Sequence, residues 1–303
     1  MPEVVGLGHC NHDILALVPG LPDFDDLYTT PLGDLVHDGG GPVGTALAAL
    51  ARLGVWTGYI GVVGDDDEGR AVRGLFVEAG VETGRMRLQA DMGTNVCLVL
   101  VDQTTGKRAL LGHRRTDRTA LKLDDADRVY IESARVLHLD GQFMPAALQA
   151  AQWAKDAGVT VSFDANHPRP GLDELLPLVD WLVAAEAFPT AQTGIPDLEE
   201  ASRQLLSLGP QLVVLTCGPR GSYGWTEQSH AYAPGCRVPV TDTTGAGDAY
   251  RGAFLYGMLC GWELGRAMSF ANAAAAINCQ TLGGRRGLPT LPQVEALLAE
   301  YER

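Results

Sequence analysis

No stretch of this chain is apolar for long enough to cross a bilayer as a helix. Its hydrophobic runs stop well short of the roughly 18–20 residues that a span requires. Cysteine is sparse and scattered: Cys10, Cys97, Cys217, Cys236, Cys260 and Cys279 form no Cys-x-x-Cys pair, and most sit in apolar segments. That spacing points to reduced core thiols and away from a zinc site or a disulfide framework. Positive charge is also in short supply. Lys and Arg total 23 against 37 Asp and Glu, a net charge of −14, which argues against a nucleic-acid partner. No Gly-x-x-x-x-Gly-Lys-[Ser/Thr] loop occurs, and Gly6-Leu7-Gly8-His9-Cys10-Asn11 lacks the third glycine of a dinucleotide fingerprint. The opening residues Met1-Pro2-Glu3-Val4-Val5 carry no basic n-region and run into a strand pattern, so a cytoplasmic protein is expected.

What is present alternates. Strand patterns fall at Val4–Gly8, Thr57–Val63, Thr94–Asp102, Val136–Asp140, Val159–Asp164, Trp181–Ala184 and Leu212–Thr216. Helical patterns fall at Gly44–Leu53, Gly69–Ala79, Ala146–Ala157, Leu198–Leu208, Asp248–Cys260, Glu263–Cys279 and Pro292–Tyr301. Several of the strands are continuous apolar runs, as when helices cover both faces of a parallel sheet. The alternation predicts a doubly wound α/β sheet, with ligands beyond the carboxyl ends of its strands. Two segments interrupt it: Ala16–His37, rich in Pro, Gly, Asp and Thr, and Thr94–Gly112, which reads as a hairpin turning at Gln103-Thr104-Thr105-Gly106.

The densest chemical signal is Asp242-Thr243-Thr244-Gly245-Ala246-Gly247-Asp248, with a helical pattern directly behind it. Gly245, Ala246 and Gly247 allow a tight turn and a close approach of backbone N–H groups to a ligand. The following helix aims the positive end of its dipole at the same spot, so an anion is stabilised there without a basic side chain. Asp248, in the first helical turn, is placed to take a proton from an attacking alcohol. A Gly-rich loop with an acidic helix cap reads the same residues without any chemistry.

That run, continued by Gly252-Ala253-Phe254, resembles the C-terminal signature of the ribokinase (PfkB) family of carbohydrate kinases. Four further blocks follow the family's order. Gly39-Gly40-Gly41-Pro42-Val43-Gly44-Thr45-Ala46 is similar to its N-terminal signature, and Gly64-Asp65-Asp66-Asp67-Glu68-Gly69 to its Gly-Asp-Asp-x-x-Gly block. Thr216-Cys217-Gly218-Pro219-Arg220-Gly221 resembles the turn under the nucleotide, and Phe270-Ala271-Asn272-Ala273-Ala274 the helix beside the adenine.

The resemblance implies one ribokinase-like α/β domain over 1–303. A small β-lid would be inserted at about 14–38 and 94–114, shared across a homodimer in part of the family. It implies ATP-dependent phosphorylation of a sugar hydroxyl, with Mg2+ carried by the nucleotide. Asp248 would be the base, with Gly245, Ala246 and Gly247 as the anion hole. Asp13, Gly40, Gly41, Gly44, Asn95 and Arg251 would lie at the sugar, Asp13 being also readable as a turn cap. Thr216, Gly218, Gly221 and Asn272 would line the nucleotide, and Asn166 and Glu186 the phosphate path. Asn166 reads equally as a loop cap. Asp242 and the Thr244 carbonyl would hold a monovalent cation, K+, completed by the Leu282–Gly287 loop.

Two departures matter. Gly44 stands where the family pattern has Asn, which removes an amide from the sugar site. In Val183–Phe188 an Asn-x-x-Glu block is missing, and only Glu186 survives as a carboxylate. The segment Ile277–Pro289 looks more like ketohexokinases and sulfofructose kinases than ribokinase. Gln142, however, stands where sulfofructose kinases are expected to carry an Arg, so a neutral ketose is expected. Arg114-Arg115-x-x-Arg118 is the one dense basic patch and reads as a solvated loop end. Other readings are a nucleoside or vitamin kinase of the same fold, a non-catalytic sugar-sensing regulator and, more distantly, a Rossmann dehydrogenase.

Overall fold

A computed structural model describes residues 1–20 and 32–301. The expected lid residues 21–31 therefore lie outside the described residues. The strands are β1 (Val4–Leu7), β2 (Asn11–Val18), β3 (Val36–Gly40), β4 (Thr57–Gly64), β5 (Glu82–Gln89), β6 (Val96–Asp102), β7 (Arg108–His113), β8 (Val136–Leu139), β9 (Thr160–Ala165), β10 (Trp181–Ala185), β11 (Leu212–Thr216), β12 (Ser222–Thr226) and β13 (His230–Ala233). The helices are α1 (Pro42–Arg52), α2 (Asp67–Glu78), α3 (Asp125–Glu132), α4 (Met144–Asp156), α5 (Leu172–Leu175), α6 (Phe188–Thr193), α7 (Leu198–Leu206), α8 (Ala246–Leu259), α9 (Leu264–Asn278) and α10 (Leu291–Tyr301).

Nine strands form one sheet in the order β13-β12-β11-β10-β9-β8-β1-β4-β5. Every pair from β11 to β5 is parallel, and β12 and β13 extend the edge antiparallel. The inner strands β1, β4 and β8 are buried at every position, because helices cover both faces. One core layer packs β1, β8 and β9 against Ala146, Ala147, Ala150, Ala151 and Ala154 of α4. The other face carries α1, α8 and α9, where Gly252 lets α8 lie against the Ala46 carbonyl of α1 at a distance a Cβ would forbid.

A second sheet, β3-β2-β6-β7, stands apart from the first. Asp13, expected at the end of the first strand, lies instead on β2 of this sheet. The chain leaves β1 at Gly8, where a Cβ would overlap the Asp140 carboxylate, and re-enters extended backbone at Asn11. Strands β5, β12 and β13 escaped the sequence reading because each is an edge or near-edge strand with a polar face and no apolar run.

One carboxylate joins the two sheets. Asp66, the N-cap of α2, accepts the amide of Gly69 at 2.9 Å, the amide of Thr94 at 2.9 Å and the Thr94 hydroxyl at 2.6 Å. Arg115 adds an ion pair at 3.3 Å. Burial pushes the Asp66 carboxyl up, but the hydrogen bonds from Thr94 and Gly69 outweigh it and hold the group below the ordinary carboxylate range. A depressed folded pKa stabilises above the unfolded value near 4, and the contribution is lost as pH falls through the lower folded value. Asp66→Ala should cost about 1–2 kcal/mol at pH 7, the range for losing a helix cap. The gap between native and variant in urea melts should shrink on acidification below pH 4. An unchanged gap at pH 3 would show that the carboxylate charge contributes nothing.

Candidate active site

A cavity of about 260 Å3 is walled by residues of both sheets. From β2 and the turn beside it come His9, Asn11 and Asp13, and from the end of β3, the turn after it and the first turn of α1 come Gly40, Gly41 and Thr45. Cys97, Arg108, Leu110 and Gly112 line it from β6 and β7, and Thr244, Gly245 and Asp248 close it at the start of α8. Strand register explains the small-sheet wall. Asp13 pairs with Cys97 and Cys97 with Gly112, so all three present one face.

The loop before α8 is built by its own small residues. Gly245 takes φ 71°, and a Cβ there would stand 2.6 Å from the Gly284 carbonyl oxygen. The amides of Ala246, Gly247 and Asp248 open the helix and have no carbonyl four residues back. That of Ala246 closes a turn on the Thr243 carbonyl at 3.3 Å. Asp248 keeps a fifth of its side chain exposed toward the cavity, 3.7 Å from Arg251. Burial raises its pKa, against the opposing charges of Arg251, Arg108 and Arg285.

Arg251, expected at the sugar, is only 2% exposed and is turned into the protein. Its Nε pairs with Asp164 at 2.9 Å and its Nη2 donates to Asn166 Oδ1 at 3.0 Å. One helical turn beyond Asp248 it faces the end of β9, where a buried carboxylate needs a counter-charge. Asn166 is thereby tied between Asp164 and Arg251.

At the other end of the cavity, Asp13 is 4% exposed and accepts a hydrogen bond from Asn11. Burial pushes its carboxyl up to about 7, with Arg285 opposing and Asp38, Asp248 and Asp242 adding to the rise. Gly40 leaves room for Asp13 and Asn11, which a Cβ would overlap. Gly41 adopts φ 97° before Pro42 opens α1. Gly44 is occupied from outside the helix. The Arg285 guanidinium fills the space of its missing side chain, donating from Nη2 to the Gly40 carbonyl at 2.8 Å and lying 4.4 Å over the Phe76 ring. Its backbone N–H donates to Asp38 at 2.9 Å. Among the described residues its buried Nη1 has no hydrogen-bond partner.

The residues assigned by resemblance to K+ are paired within the chain. Asp242 accepts the Thr244 amide at 2.8 Å, the Thr244 hydroxyl at 2.7 Å and the Gly283 amide at 3.0 Å. Asn278 Nδ2 donates to the carbonyls of Thr244 at 3.4 Å and Gly284 at 3.1 Å. An amide donor thus stands where the resemblance puts a cation, and this set fits a hydrogen-bonded brace better than a cation cage.

Thr216 ends β11, and Gly218 (φ 57°) and Gly221 (φ 93°) form the turn after it, closed by Cys217 N–H on the Gly221 carbonyl. Asn272 of α9 is spent on structure: it donates to Ser222 at 3.1 Å, Ala233 at 3.0 Å and Pro234 at 3.2 Å, fixing the β13 end beside that turn. Glu186 follows β10 and pairs with Arg220 of the same turn. These residues share the carboxyl edge of the main sheet with Asn166 and Asp140. Asn95, at the base of β6, lines the cavity and anchors the segment after β7 by accepting the amides of Arg115 and Thr116.

Sequence reasoning passed over Arg108, and weighed Arg285 only as a possible partner for an anionic sugar. Arg108 of β7 lines the cavity and bonds Thr243 Oγ1 across the two sheets. Beside Lys107 at the start of a hairpin strand, it read as one of two solvated cations next to the turn. The pairing of Arg285 with Gly44 gave no signal, because its partner is the absence of a side chain at position 44. Overpacking costs typically about 1–3 kcal/mol, so Gly44→Asn should destabilise by that order while Arg285 is present. In an Arg285→Ala background the same change should cost clearly less. Additive losses in a double-mutant cycle of thermal unfolding would show that Arg285 is not what excludes the side chain.

Comparison with known proteins agrees with this geometry. Residues 1–291 match the family described as pfkB family carbohydrate kinase. An ATP-dependent ribose-1-phosphate kinase of Halopiger xanaduensis is 33% identical over 303 residues, 99% of each chain. A 5-dehydro-2-deoxygluconokinase of Shouchella clausii is 29% identical over 284 residues, 86% of each. The structure of Arabidopsis thaliana ribokinase complexed with ribose and ATP superposes with a TM-score of 0.85 at 25% identity, covering 98% of each chain. The protein belongs to the pfkB family of carbohydrate kinases and has the ribokinase-like α/β fold.

Proposed function

We propose that this ATP-dependent sugar kinase works by in-line attack of a sugar hydroxyl on the γ-phosphorus, with Asp248 as the base. The carrying observation is that Asp248 and the first turn of α8 open onto the same cavity as Asp13 and the Gly40–Gly41 turn. As the oxygen–phosphorus bond forms, the hydroxyl proton passes to the Asp248 carboxylate. The bond to the bridging oxygen breaks, and ADP leaves with that electron pair. The amides of Gly245, Ala246 and Gly247 and the α8 dipole stabilise the charge on the transferred group. Arg108 adds a cation from the small sheet. Arg251, held by Asp164 at 2.9 Å, fixes the position of Asp248 without touching the sugar. Asp13 accepts sugar hydroxyls, and the backbone at Gly40 and Gly41 approaches them closely.

ATP enters with Mg2+, the pair bound in the structure of a putative ribokinase II from E. coli. When bound, the ion neutralises phosphate charge. Asn166 and the partly exposed Glu186, at the carboxyl edge of β9 and β10, are the side chains placed to meet its hydration shell. Thr216, Gly218 and Gly221 support the nucleotide, while Asn272 holds the backbone beside it. The small sheet acts as the lid, latched by Arg108 on Thr243. Leu98 and Leu111 are paired across β6 and β7 on the face away from the cavity, 45% and 56% exposed, which supports pairing of two copies through the lid. No helix among the described residues is long and apolar enough to cross a membrane. Use of ATP as donor supports a cytoplasmic location.

Asp248→Asn keeps the shape and removes the proton acceptor. Turnover should fall on the order of 10²–10⁴-fold with sugar affinity little changed. Near-native turnover in this variant would remove Asp248 from the role of base.

The pH profile tests Asp13. Its carboxyl, raised to about 7 in the free protein, is a charged acceptor only above that pH. Sugar kcat/KM should therefore decline as pH drops through 7, and Asp13→Asn should lower it overall and erase that limb. A limb that persists unchanged in Asp13→Asn belongs to another group.

A further inference from the structure

Beside the main cavity lies a second of about 70 Å3, lined by His9, Asn95, Arg114, Thr116, Arg118, Gln142 and Phe143. The two share His9, Asn95 and Arg114, so the small cavity continues the large one away from Asp248. Gln142, where an Arg was wanted for an anionic sugar, is here faced by two arginines from another segment.

Their placement is built. Asn95 Oδ1 accepts the amides of Arg115 at 2.6 Å and Thr116 at 2.9 Å, and Thr116 Oγ1 donates to the Gly93 carbonyl at 3.1 Å. This curls the chain after β7 back over the cavity. Arg115 is drawn off to Asp66. Among the described residues, Arg114, Arg118 and the nearby Arg169 have no carboxylate within 4 Å, and the buried Arg169 Nε has no hydrogen-bond partner. The carboxylate in their company is Asp140, whose two oxygens are taken by the amides of His9 at 2.8 Å and Gln142 at 2.9 Å.

The three guanidinium groups feel one another. Burial and then the charges of Arg114 and Arg169 hold Arg118 below its ordinary pKa, with Asp140 opposing. Burial first, then Arg118 and Arg114, push His9 down to about 4, so this imidazole is neutral at physiological pH. An unneutralised cationic cluster at the end of a cavity, in a protein of net charge −14, calls for an anion.

We propose that the Arg114–Arg118 cavity seats an anionic group, a phosphate ester or a carboxylate, borne by the sugar at the end opposite the hydroxyl that is phosphorylated. This rests on the kinase reading above, which places the reacting hydroxyl at Asp248. It replaces the expected neutral ketose. Guanidinium forks suit both oxyanions, because two N–H groups match two oxygens. Neutral His9, Gln142 and Thr116 are left to hydrogen-bond what the arginines attract.

The test measures ADP release with MgATP for ribose, ribose 1-phosphate and 2-dehydro-3-deoxygluconate, in the native protein and in R114Q and R118Q. An anionic sugar should exceed ribose in kcat/KM by about 100-fold. Each substitution should raise its KM by about tenfold or more, with kcat within a few-fold, as befits a lost charge-assisted contact. The KM for ribose should not move in R118Q, whose side chain lines only the small cavity, and inorganic phosphate should compete with the anionic sugar in the native protein but not in the variants. Whether the phosphate ester or the sugar acid leads identifies the anion. Ribose turned over best, or KM rising equally for ribose and the anionic sugars in both variants, would overturn the anionic seat and leave the kinase standing. Failure to transfer phosphate to any sugar would take both down.

Discussion

The buried guanidinium of Arg251 is the interaction on which the site depends. It sits on α8, 2% exposed, between Asp164 at 2.9 Å and Asp248 at 3.7 Å, with Asn166 on its remaining edge. A cation with no access to water is tolerable only with carboxylates beside it, and carboxylates so placed are tolerable only with the cation. Asp164 closes β9 in the middle of the main sheet. Asp248 opens the helix that packs on that sheet. The ion cluster therefore fixes the anion loop relative to the strand ends, and it sets the charge state of the proposed base. Burial pushes both carboxyls up, the Arg251 charge opposes the rise in each, and the Asp248 charge adds to it at Asp164.

A protein of net charge −14 that handles phosphate has to concentrate its positive charge. It does so in two ways. In the proposed transfer the donors to the phosphoryl group are mainly backbone amides of a helix start, which carry no net charge and need no counter-ion. At the far end of the cavity the donors are side chains of a segment curled over by Asn95. Arg108, on the small sheet, stands between the two. Cationic groups thus come largely from the small sheet and its flanking loop, while the carboxylates come from both sheets. Both sets line the one cavity that the two sheets wall.

Much of this was legible from sequence, and the reasons are physical. Buried parallel strands read as apolar runs, helices between them as 3.6-residue patterns, and the Asp242–Asp248 loop as a glycine turn opening a helix, because each is a local signature. The small sheet was harder. Strand β2 was merged with the end of β1, since Gly8-His9-Cys10 gives no sign that the chain changes sheets. Arg251 was assigned to the sugar from helical spacing alone, which cannot show that a carboxylate 87 positions earlier waits on its other side. The Arg114–Arg118 patch read as a solvated loop end, and its arginines are exposed, but the sequence did not show that Arg114 and Arg118 also line the end of the cavity. Their placement there depends on Asn95, some twenty residues away, accepting two amides.

The exchange at position 44 shows how such misreadings arise. In sequence, a glycine for an asparagine counts as one hydrogen-bond donor lost at the sugar. In space, the volume is filled by a guanidinium from position 285, which brings several donors, binds the Gly40 carbonyl and stacks on Phe76. The glycine is what admits the arginine, since any Cβ at 44 would overlap Nη2. Arg285 is fixed in turn by its backbone bond to Asp38, on the strand next to Asp13. Its charge opposes the rise in the Asp13 pKa that burial causes. A change that looks like the loss of one neutral contact therefore installs a cation beside the acid proposed to hold the sugar. The departure has to be read as a pair, glycine with arginine, before its effect on that acid has a sign.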